Sequence, residues 1–306
     1  MFIISVSVIV CTNRNDRYQD FIDGVNSLLS QTYRDTEIIV VVDGNKELYK
    51  RIVEYHKSNL NTNLKILLNQ ENLGLSESRN RGIKEAKGDI IAFFDDDAVA
   101  DKDWINELVK MYIEHDAIAV GGKLLPKWIA KKPNFLPEEY YWLIGATHKG
   151  FPEKITEVRN TFGSNISFKA NVIKALGGFK REMGIKEGKR GFLQGEEVEL
   201  CARMRHKFGR GVIYNPRAVV HHKIFDYRIK LQFLLKRAFW QGYSKKAMKK
   251  LVRDSMYEER GFLKNLVVKS VPELLKKREL KKLIFILICT IAIGSGYLYG
   301  FVQRGK

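Results

Sequence analysis

GDIIAFFDDDAV, residues 88–99, is a glycine followed by branched and aromatic apolar residues and then by three consecutive aspartates. An apolar run this short, bounded by a glycine and a polar cluster, predicts a strand buried on both faces, as in a parallel sheet. In open α/β sheets ligands bind beyond the carboxyl ends of the strands, where Asp95, Asp96 and Asp97 would lie. Neighbouring carboxylates repel one another unless a cation lies among them, and Mg2+ and Mn2+ take oxygen ligands and can bridge to phosphate. The stretch predicts either a metal–diphosphate site or a solvated acidic turn that caps the next helix.

Strand-like and helix-like segments alternate on both sides of this stretch. β-Branched or apolar runs lie at 5–11, 37–42, 64–68 and 118–120, and apolar residues at helical spacing lie at 18–31, 47–56, 76–86 and 104–114. This alternation predicts βαβ units and a parallel sheet, the first half of a nucleotide-binding fold. The turn after the first run, CTNRND, contains neither GxGxxG nor GxxxxGK. Its composition argues against a dinucleotide enzyme and against a P-loop NTPase.

The second half of this body is less regular. Residues 121–160 hold four of the six prolines among many aromatic residues, which predicts an irregular insertion. It is either a flap that faces an acceptor or a membrane, or a loop packed over the sheet edge. Strand-like residues at 162–168 and a helix at 170–176 follow, and the charged, glycine-rich loop at 181–195 is long enough to be a mobile lid. A helix then begins at GEEVEL, and two further strand-like runs end at His221 and His222.

Positive charge is concentrated at the C-terminal end of the chain. The net charge is +18, and residues 223–306 hold 20 Lys and Arg against 6 Asp and Glu. Residues 283–301 contain no charge, a length that can span a bilayer, and most nearby basic residues precede them. The positive-inside rule then predicts a single-pass protein of the cell membrane with its body in the cytoplasm. Because the basic residues adjoin this apolar segment, anionic lipid is favoured as the partner over nucleic acid.

The three cysteines, Cys11, Cys201 and Cys289, are isolated in the sequence. No zinc spacing or disulfide framework can be built from them, and they fit a reducing compartment.

Eight short motifs occur in one order along the chain. They are CTNRND, VVDGN, GLSESRNRG, FFDDDAV, FGSNISF, GGF, GEEVEL and NPRAVVHH. Together they resemble the family 2 glycosyltransferases, inverting enzymes with the GT-A fold, over residues 4–223. The segment KRAFWQGYSK at 236–245 is similar to a narrower, membrane-anchored archaeal group, the glucosyl-dolichyl phosphate glucuronosyltransferase type.

The resemblance implies an α/β GT-A architecture with a Rossmann-like mixed sheet. The expected organisation is a catalytic domain at 1–222, a basic amphipathic helical region at 223–282, and a transmembrane helix at 283–302.

The resemblance also assigns roles to individual residues. The implied nucleotide-binding residues are Thr12, Arg14, Asp43, Arg79, Asp95 and Asp96. The implied ligands of Mn2+ or Mg2+ are Asp97 and His222, and the implied acceptor-side residues are Ser164, Asn165 and Glu196. Glu197 stands where the family usually has an aspartate that acts as general base, so its side chain is one methylene longer. Because it begins a helix, its carboxylate is expected to be ionised at neutral pH.

The expected activity is inverting transfer of a sugar from a nucleoside diphosphate sugar, a UDP-sugar by preference, to a lipid-linked acceptor. The acceptor would be a polyprenyl or dolichyl phosphate at the cytoplasmic membrane face, and the product would serve glycan assembly. Alternatives are a transferase of surface polysaccharide biosynthesis and a polyprenyl-phosphate sugar synthase. Two other classes, a nucleic-acid-binding protein and a non-catalytic nucleotide-binding scaffold, are disfavoured by the position of the basic residues and by the intact acidic motif.

Overall fold

A computed structural model describes residues 4–58, 64–181, 195–248 and 257–302. The chain divides into two compact units: Met1–Leu125 with Pro152–His222, and Pro126–Phe151 with Lys223–Lys306. The lid predicted at 181–195 lies almost wholly outside the described residues.

The first unit is built on a mixed sheet with the order β3-β2-β1-β4-β8-β6-β9-β5, and β7 pairs with β9. The strands are β1 (Val6–Thr12), β2 (Thr36–Asp43), β3 (Leu64–Asn69), β4 (Ile90–Asp95), β5 (Ala98–Ala100), β6 (Ala119–Trp128), β7 (Thr156–Val158), β8 (Ile166–Lys169) and β9 (Val212–Ile224). The first four strands in the order are parallel, whereas β4–β8, β6–β8, β5–β9 and β7–β9 are antiparallel. The predicted parallel βαβ half and the mixed sheet are both confirmed.

Helices cover both faces of the sheet, which is why its central strands are apolar on both sides. They are α1 (Tyr18–Leu29), α2 (Lys46–Ser58), α3 (Leu75–Glu85), α4 (Trp104–Glu114), α5 (Ala170–Ala175) and α6 (Glu196–Phe208). Alternate residues of β4 enter opposite cores: Phe94 packs in the core that contains residues of α1, α2 and α4, and Phe93 in the core that contains residues of α3, α5 and α6.

The strand register gathers polar residues at one edge of the sheet. Cys11 of β1 pairs with Asp95 of β4, so both strands end at the same level. The chain turns after Asp97 into β5, whose Ala98 pairs with His222 of β9. This short antiparallel pairing brings a residue from late in the sequence beside the aspartate turn.

Two strands are longer than the sequence predicts. β6 continues to Trp128 although a strand was expected only at 118–120, and the runs at 211–214 and 218–220 belong to a single strand, β9. Pro126 interrupts the apolar pattern of β6, so the sequence predicts a shorter strand there. Pro216 interrupts that of β9, so the sequence predicts two strands instead of one.

The second unit has a core of its own. Its helices are α7 (Leu231–Met248), α8 (Tyr257–Asn265), a π-helical turn (Leu266–Ser270), α9 (Val271–Lys276) and α10 (Leu280–Val302). The aromatic insertion packs against α10, with ring centroids 5.4 Å apart for Phe135 and Phe285 and 5.7 Å apart for Tyr140 and Phe285. The insertion is therefore part of a helical core.

Candidate functional site

Three residues at the end of the sheet form a group that could hold a metal ion. Asp95, Asp97 and His222 each offer one ligand atom, and these atoms lie within 4.8 Å of one another. Asp97 is 2% exposed, and its carboxylate lies 3.1 Å from Nε2 of His222. Among the described residues, the other ring nitrogen of His222 is buried without a hydrogen-bond partner. Two carboxylates and an imidazole are a donor set that suits a divalent transition metal, so these residues fit a resident cation.

Arg17 supplies positive charge to this group. Its guanidinium donates a 2.8 Å hydrogen bond to Oδ2 of Asp97, and both side chains are largely buried. Arg14, the arginine that the resemblance assigns to nucleotide binding, pairs with exposed Asp16, and its nucleotide contact stays a prediction. No sequence signal separates the two arginines. The one-turn 3₁₀-helix Asn15–Arg17 decides which of them points inward.

Asp96 lies outside the three-residue group. Thr12 donates a 2.6 Å hydrogen bond to Asp96, which is how the end of β1 is tied to the aspartate turn. Burial and the nearby charge of Asp97 raise the pKa of Asp96 to about 7, and burial also raises the pKa of Asp95. These directions mean that the turn carries more negative charge than its surroundings stabilise, which a bound cation would relieve.

Arg79 of α3 connects this group to helix α6. It is 3% exposed, donates a 2.9 Å hydrogen bond to Glu196, and reaches Asp95 at 3.2 Å. A Cβ at Gly163 would lie 2.7 Å from the guanidinium, so a glycine is needed there to admit it. The resemblance implied a nucleotide contact for Arg79 and an acceptor contact for Glu196. In the structure the two side chains bind each other.

Three glutamates lie in the first turn of α6. Glu197 is the one of the three that forms no ion pair with a described side chain. Glu196 is held by Arg79, and Glu199 is held by Arg203 and by Lys180. Within the part of the chain that the structure describes, no side chain donates a hydrogen bond to the Glu197 carboxylate. Burial, followed by repulsion from Glu196, raises the pKa of Glu197 to about 8. Burial therefore opposes the helix dipole at Glu197, and the ionised state expected at neutral pH stays a prediction.

The side chain of Asp43 stabilises a turn of the fold. Its carboxylate accepts hydrogen bonds from Asn69 and from the backbone N–H groups of Leu73 and Gly74, which fixes the turn between β3 and α3. A carboxylate has room for one further donor, so contact with a nucleotide base stays a prediction.

Ser164 and Asn165 are both buried, at 2% and 0% exposure. The amide of Asn165 accepts from the indole of Trp104 and donates to the carbonyls of Lys123 and Ala218. These three bonds hold an amide that has no exposed surface, and the predicted acceptor contact of Asn165 stays a prediction. The role of Ser164 stays a prediction.

The site contains groups suited to two chemical functions, cation binding and proton abstraction. Asp95, Asp97 and His222 can hold a cation that neutralises phosphate charge, and Glu197 is a carboxylate whose pKa suits proton abstraction near neutral pH. Arg79 holds the two parts at a fixed separation.

Comparison with known proteins agrees with this chemistry. The sequence profile of glycosyl transferase family 2 matches residues 7–177. The chain is 42% identical over 307 residues to the glucosyl-dolichyl phosphate glucuronosyltransferase of Haloferax volcanii, with 98% of this chain and 97% of the relative covered. An uncharacterized glycosyltransferase of Haemophilus influenzae is 30% identical over 55% of this chain and 53% of its own length.

Solved structures share the fold. The mannosyltransferase PcManGT from Pyrobaculum calidifontis, in complex with GDP-Man and Mn2+, superposes with a TM-score of 0.66 at 15% identity, covering 99% of this chain and 88% of that one. GalNAc-T7 with UDP, GalNAc and Mn2+ gives a TM-score of 0.59 at 15% identity over 85% of this chain and 53% of that one. The sheet order, the aspartate turn and the profile match lead to one conclusion: the chain belongs to glycosyl transferase family 2, has the GT-A fold, and is a glycosyltransferase.

Proposed function

We propose that the protein transfers a sugar, with inversion, from a nucleoside diphosphate sugar to a lipid-linked polyprenyl or dolichyl phosphate acceptor at the cytoplasmic face of a membrane. The observation that carries the proposal is the linkage through Arg79, which touches Asp95 of the metal-binding group and Glu196 beside the candidate base. Sugar transfer needs a cation at the leaving diphosphate and a base at the incoming hydroxyl, so the metal-binding group and the base must lie close together.

Glu197 acts as the general base. Once deprotonated, its carboxylate takes the proton of a hydroxyl on the glycosylated lipid acceptor as that oxygen attacks the anomeric carbon and the bond to the nucleoside diphosphate breaks. A single base is enough for inversion, because no covalent intermediate on a second carboxylate is formed. Arg79 holds Glu196 in an ion pair, so Glu197 is the carboxylate that can contact the acceptor hydroxyl.

Asp95, Asp97 and His222 hold the cation, which when bound stabilises the charge of the departing nucleoside diphosphate. We propose Mn2+ rather than Mg2+, because an imidazole nitrogen beside two carboxylates is a poor ligand for magnesium. Thr12 and Asp96 line the nucleotide side of the turn.

The acceptor class is supported by the 42% identical relative, whose name specifies a glucosyl-dolichyl phosphate substrate. It is also supported by α10, one helix among the described residues that is long and apolar enough to cross a membrane, with a mean hydropathy of 2.0. The basic residues beside α10 support the cytoplasmic side, because the cytoplasmic leaflet carries the anionic lipids that attract such residues.

The test is release of nucleoside diphosphate across a panel of donors, with and without a polyprenyl-phosphate acceptor or its monoglycosylated form. We expect release with a UDP-sugar that depends on the glycosylated lipid. Transfer to the bare lipid phosphate would favour a polyprenyl-phosphate sugar synthase, and transfer to free oligosaccharide would favour polysaccharide biosynthesis. No release with any donor would contradict a transferase.

Arg79→Lys tests the linkage. A lysine keeps the charge but cannot contact Glu196 and Asp95 together as the forked guanidinium does. We expect a loss of about 1–3 kcal/mol in unfolding free energy, measured by urea denaturation, because buried carboxylates lose a partner.

The matched control is Arg210→Lys, at an arginine whose ion pair with Asp116 is exposed and should cost about 0–1 kcal/mol. In a double-mutant cycle, Arg79→Lys and Glu196→Gln should be non-additive. Additive losses would mean that the pair does not act as a unit.

A further inference from the structure

Helix α10 has one buried side and one exposed side. Phe285, Ile286 and Cys289 are buried in the core of the second unit, and Gly296 is also buried. The residues of the opposite side are apolar and each at least 57% exposed; they are Leu280, Ile284, Leu287, Ile291, Leu298 and Val302. Their spacing of three, four and seven residues places them on one face. Lipid can therefore reach α10 along a stripe, which we name the α10 stripe.

Helix α7 lies against the C-terminal half of α10. A Cβ at Gly242 would lie 1.9 Å from the carbonyl oxygen of Ile293, and a Cβ at Gly296 would lie 1.8 Å from that of Phe239. The two backbones are thus in direct contact, as small residues allow. Further along both helices, the side chain of Lys246 packs on Gly300. From Phe239–Gly296 to Lys246–Gly300 the contacts advance along both helices, so the two helices run in the same direction.

The register of α7 against α10 determines which side chains of α7 would lie at the bilayer centre if α10 crossed the membrane. Lys246 lies beside Gly300, so Lys236, ten residues earlier on α7, is level with the part of α10 around Thr290, ten residues before Gly300. Thr290 lies near the midpoint of Leu280–Val302. If α10 crossed the bilayer, exposed Lys236 and the adjacent Arg237 would sit near its centre. Each such charge costs about 2.5–3.5 kcal/mol even on the lenient insertion scale.

We infer that α7 and α10 lie together in the plane of the membrane interface, with the α10 stripe in the acyl region and basic side chains at anionic headgroups. The apolar surface extends to Val267 and Val268 of the π-helical turn, which are 63% and 62% exposed. Basic residues flank it, as in interfacial helices; those with described side chains include Lys236, Lys264, Lys269, Lys277 and Lys281. The inference rests on the membrane attachment in the proposed function and replaces a spanning helix with an interfacial one.

The test is the depth of nitroxide labels in vesicles, read by power saturation with oxygen and a water-soluble nickel chelate. Single cysteines would be placed at Ile284, Leu287, Ile291 and Leu298 of the full chain, bound to phosphatidylcholine vesicles with and without phosphatidylglycerol. The unsubstituted protein, labelled in parallel, corrects for partly exposed Cys11. A label at Ile113, which is 59% exposed on α4, gives the value for a position in water.

We expect the four labels to lie at depths within a few ångströms of one another, and binding to weaken when the anionic lipid is omitted. A spanning α10 rises about 21 Å between Ile284 and Leu298, so depth would peak at Ile291 and fall on both sides. That profile would overturn the inference and leave membrane attachment intact. Labels as water-exposed as Ile113 would overturn the attachment itself. Equal binding to both vesicle types would overturn the role of anionic headgroups. The measurement uses neither donor nor acceptor, so failure of the proposed transfer does not alter it.

Discussion

Glu197→Gln should keep the affinity for the donor and lose turnover by roughly 10²–10⁴-fold, the usual contribution of a general base. The amide keeps the size of the side chain but cannot accept the acceptor's proton. Donor Kd and single-turnover transfer should therefore be measured side by side. The prediction depends on Glu197 being the glutamate of α6 that the ion pairs leave unengaged.

Glu196→Gln is the matched control, because it changes the neighbouring residue in the same way. Its oxygen can still accept from Arg79, so we expect a smaller loss of turnover together with a lower melting temperature. An inactive Glu196→Gln with a fully active Glu197→Gln would place the base one residue earlier.

The pH profile gives a second measure of the same residue. Since burial and the neighbouring Glu196 raise the pKa of Glu197 to about 8, we expect a minority of molecules to hold the ionised base at pH 7. A base must be deprotonated to act, so kcat/KM should rise about tenfold per pH unit below pH 8 and level off above it. In Glu197→Gln the residual activity should lack this rise. A profile that is already flat at pH 6 would contradict the assignment.

Asp97→Asn should abolish binding of Mn2+ and lower transfer by at least roughly 10²-fold. Asp97 lies between His222 and Arg17, so the asparagine removes a ligand charge and also breaks the ion pair with Arg17. Loss of a buried partner costs about 3–5 kcal/mol of folding free energy, so the melting temperature must be measured in parallel. Free Mn2+, followed by its paramagnetic resonance signal, reports binding independently of activity.

Asp96→Asn is the control within the same turn. Asp96 accepts from Thr12 and lies outside the candidate metal group, so its amide should bind Mn2+ with nearly unchanged affinity. EDTA should stop transfer by the unaltered protein, and Mn2+ should restore it. Equal loss of Mn2+ binding in the two variants, or full activity in EDTA, would contradict the metal assignment.

Local sequence patterns determined much of the architecture. The apolar run before Asp95 predicted a strand buried on both faces, and hydrophobic spacing predicted the helices that flank it. These features depend on neighbours within one turn or one strand, so periodicity reveals them. The family also followed from the sequence, because its motifs are short and occur in order.

Tertiary structure decided which polar side chains meet. Arg79 and Glu196 are 117 residues apart in the sequence. No sequence pattern around either residue predicts that the two side chains form an ion pair. Asn165 was expected at the acceptor, yet it is fully buried because the carbonyls it binds come from two other strands. In the second unit, composition gave α10 its apolar length, but only its packing against α7 showed that Lys236 lies level with the middle of the helix. Hydrophobic spacing encodes what is buried along one element, whereas long-range pairing of charges depends on which elements the fold brings side by side.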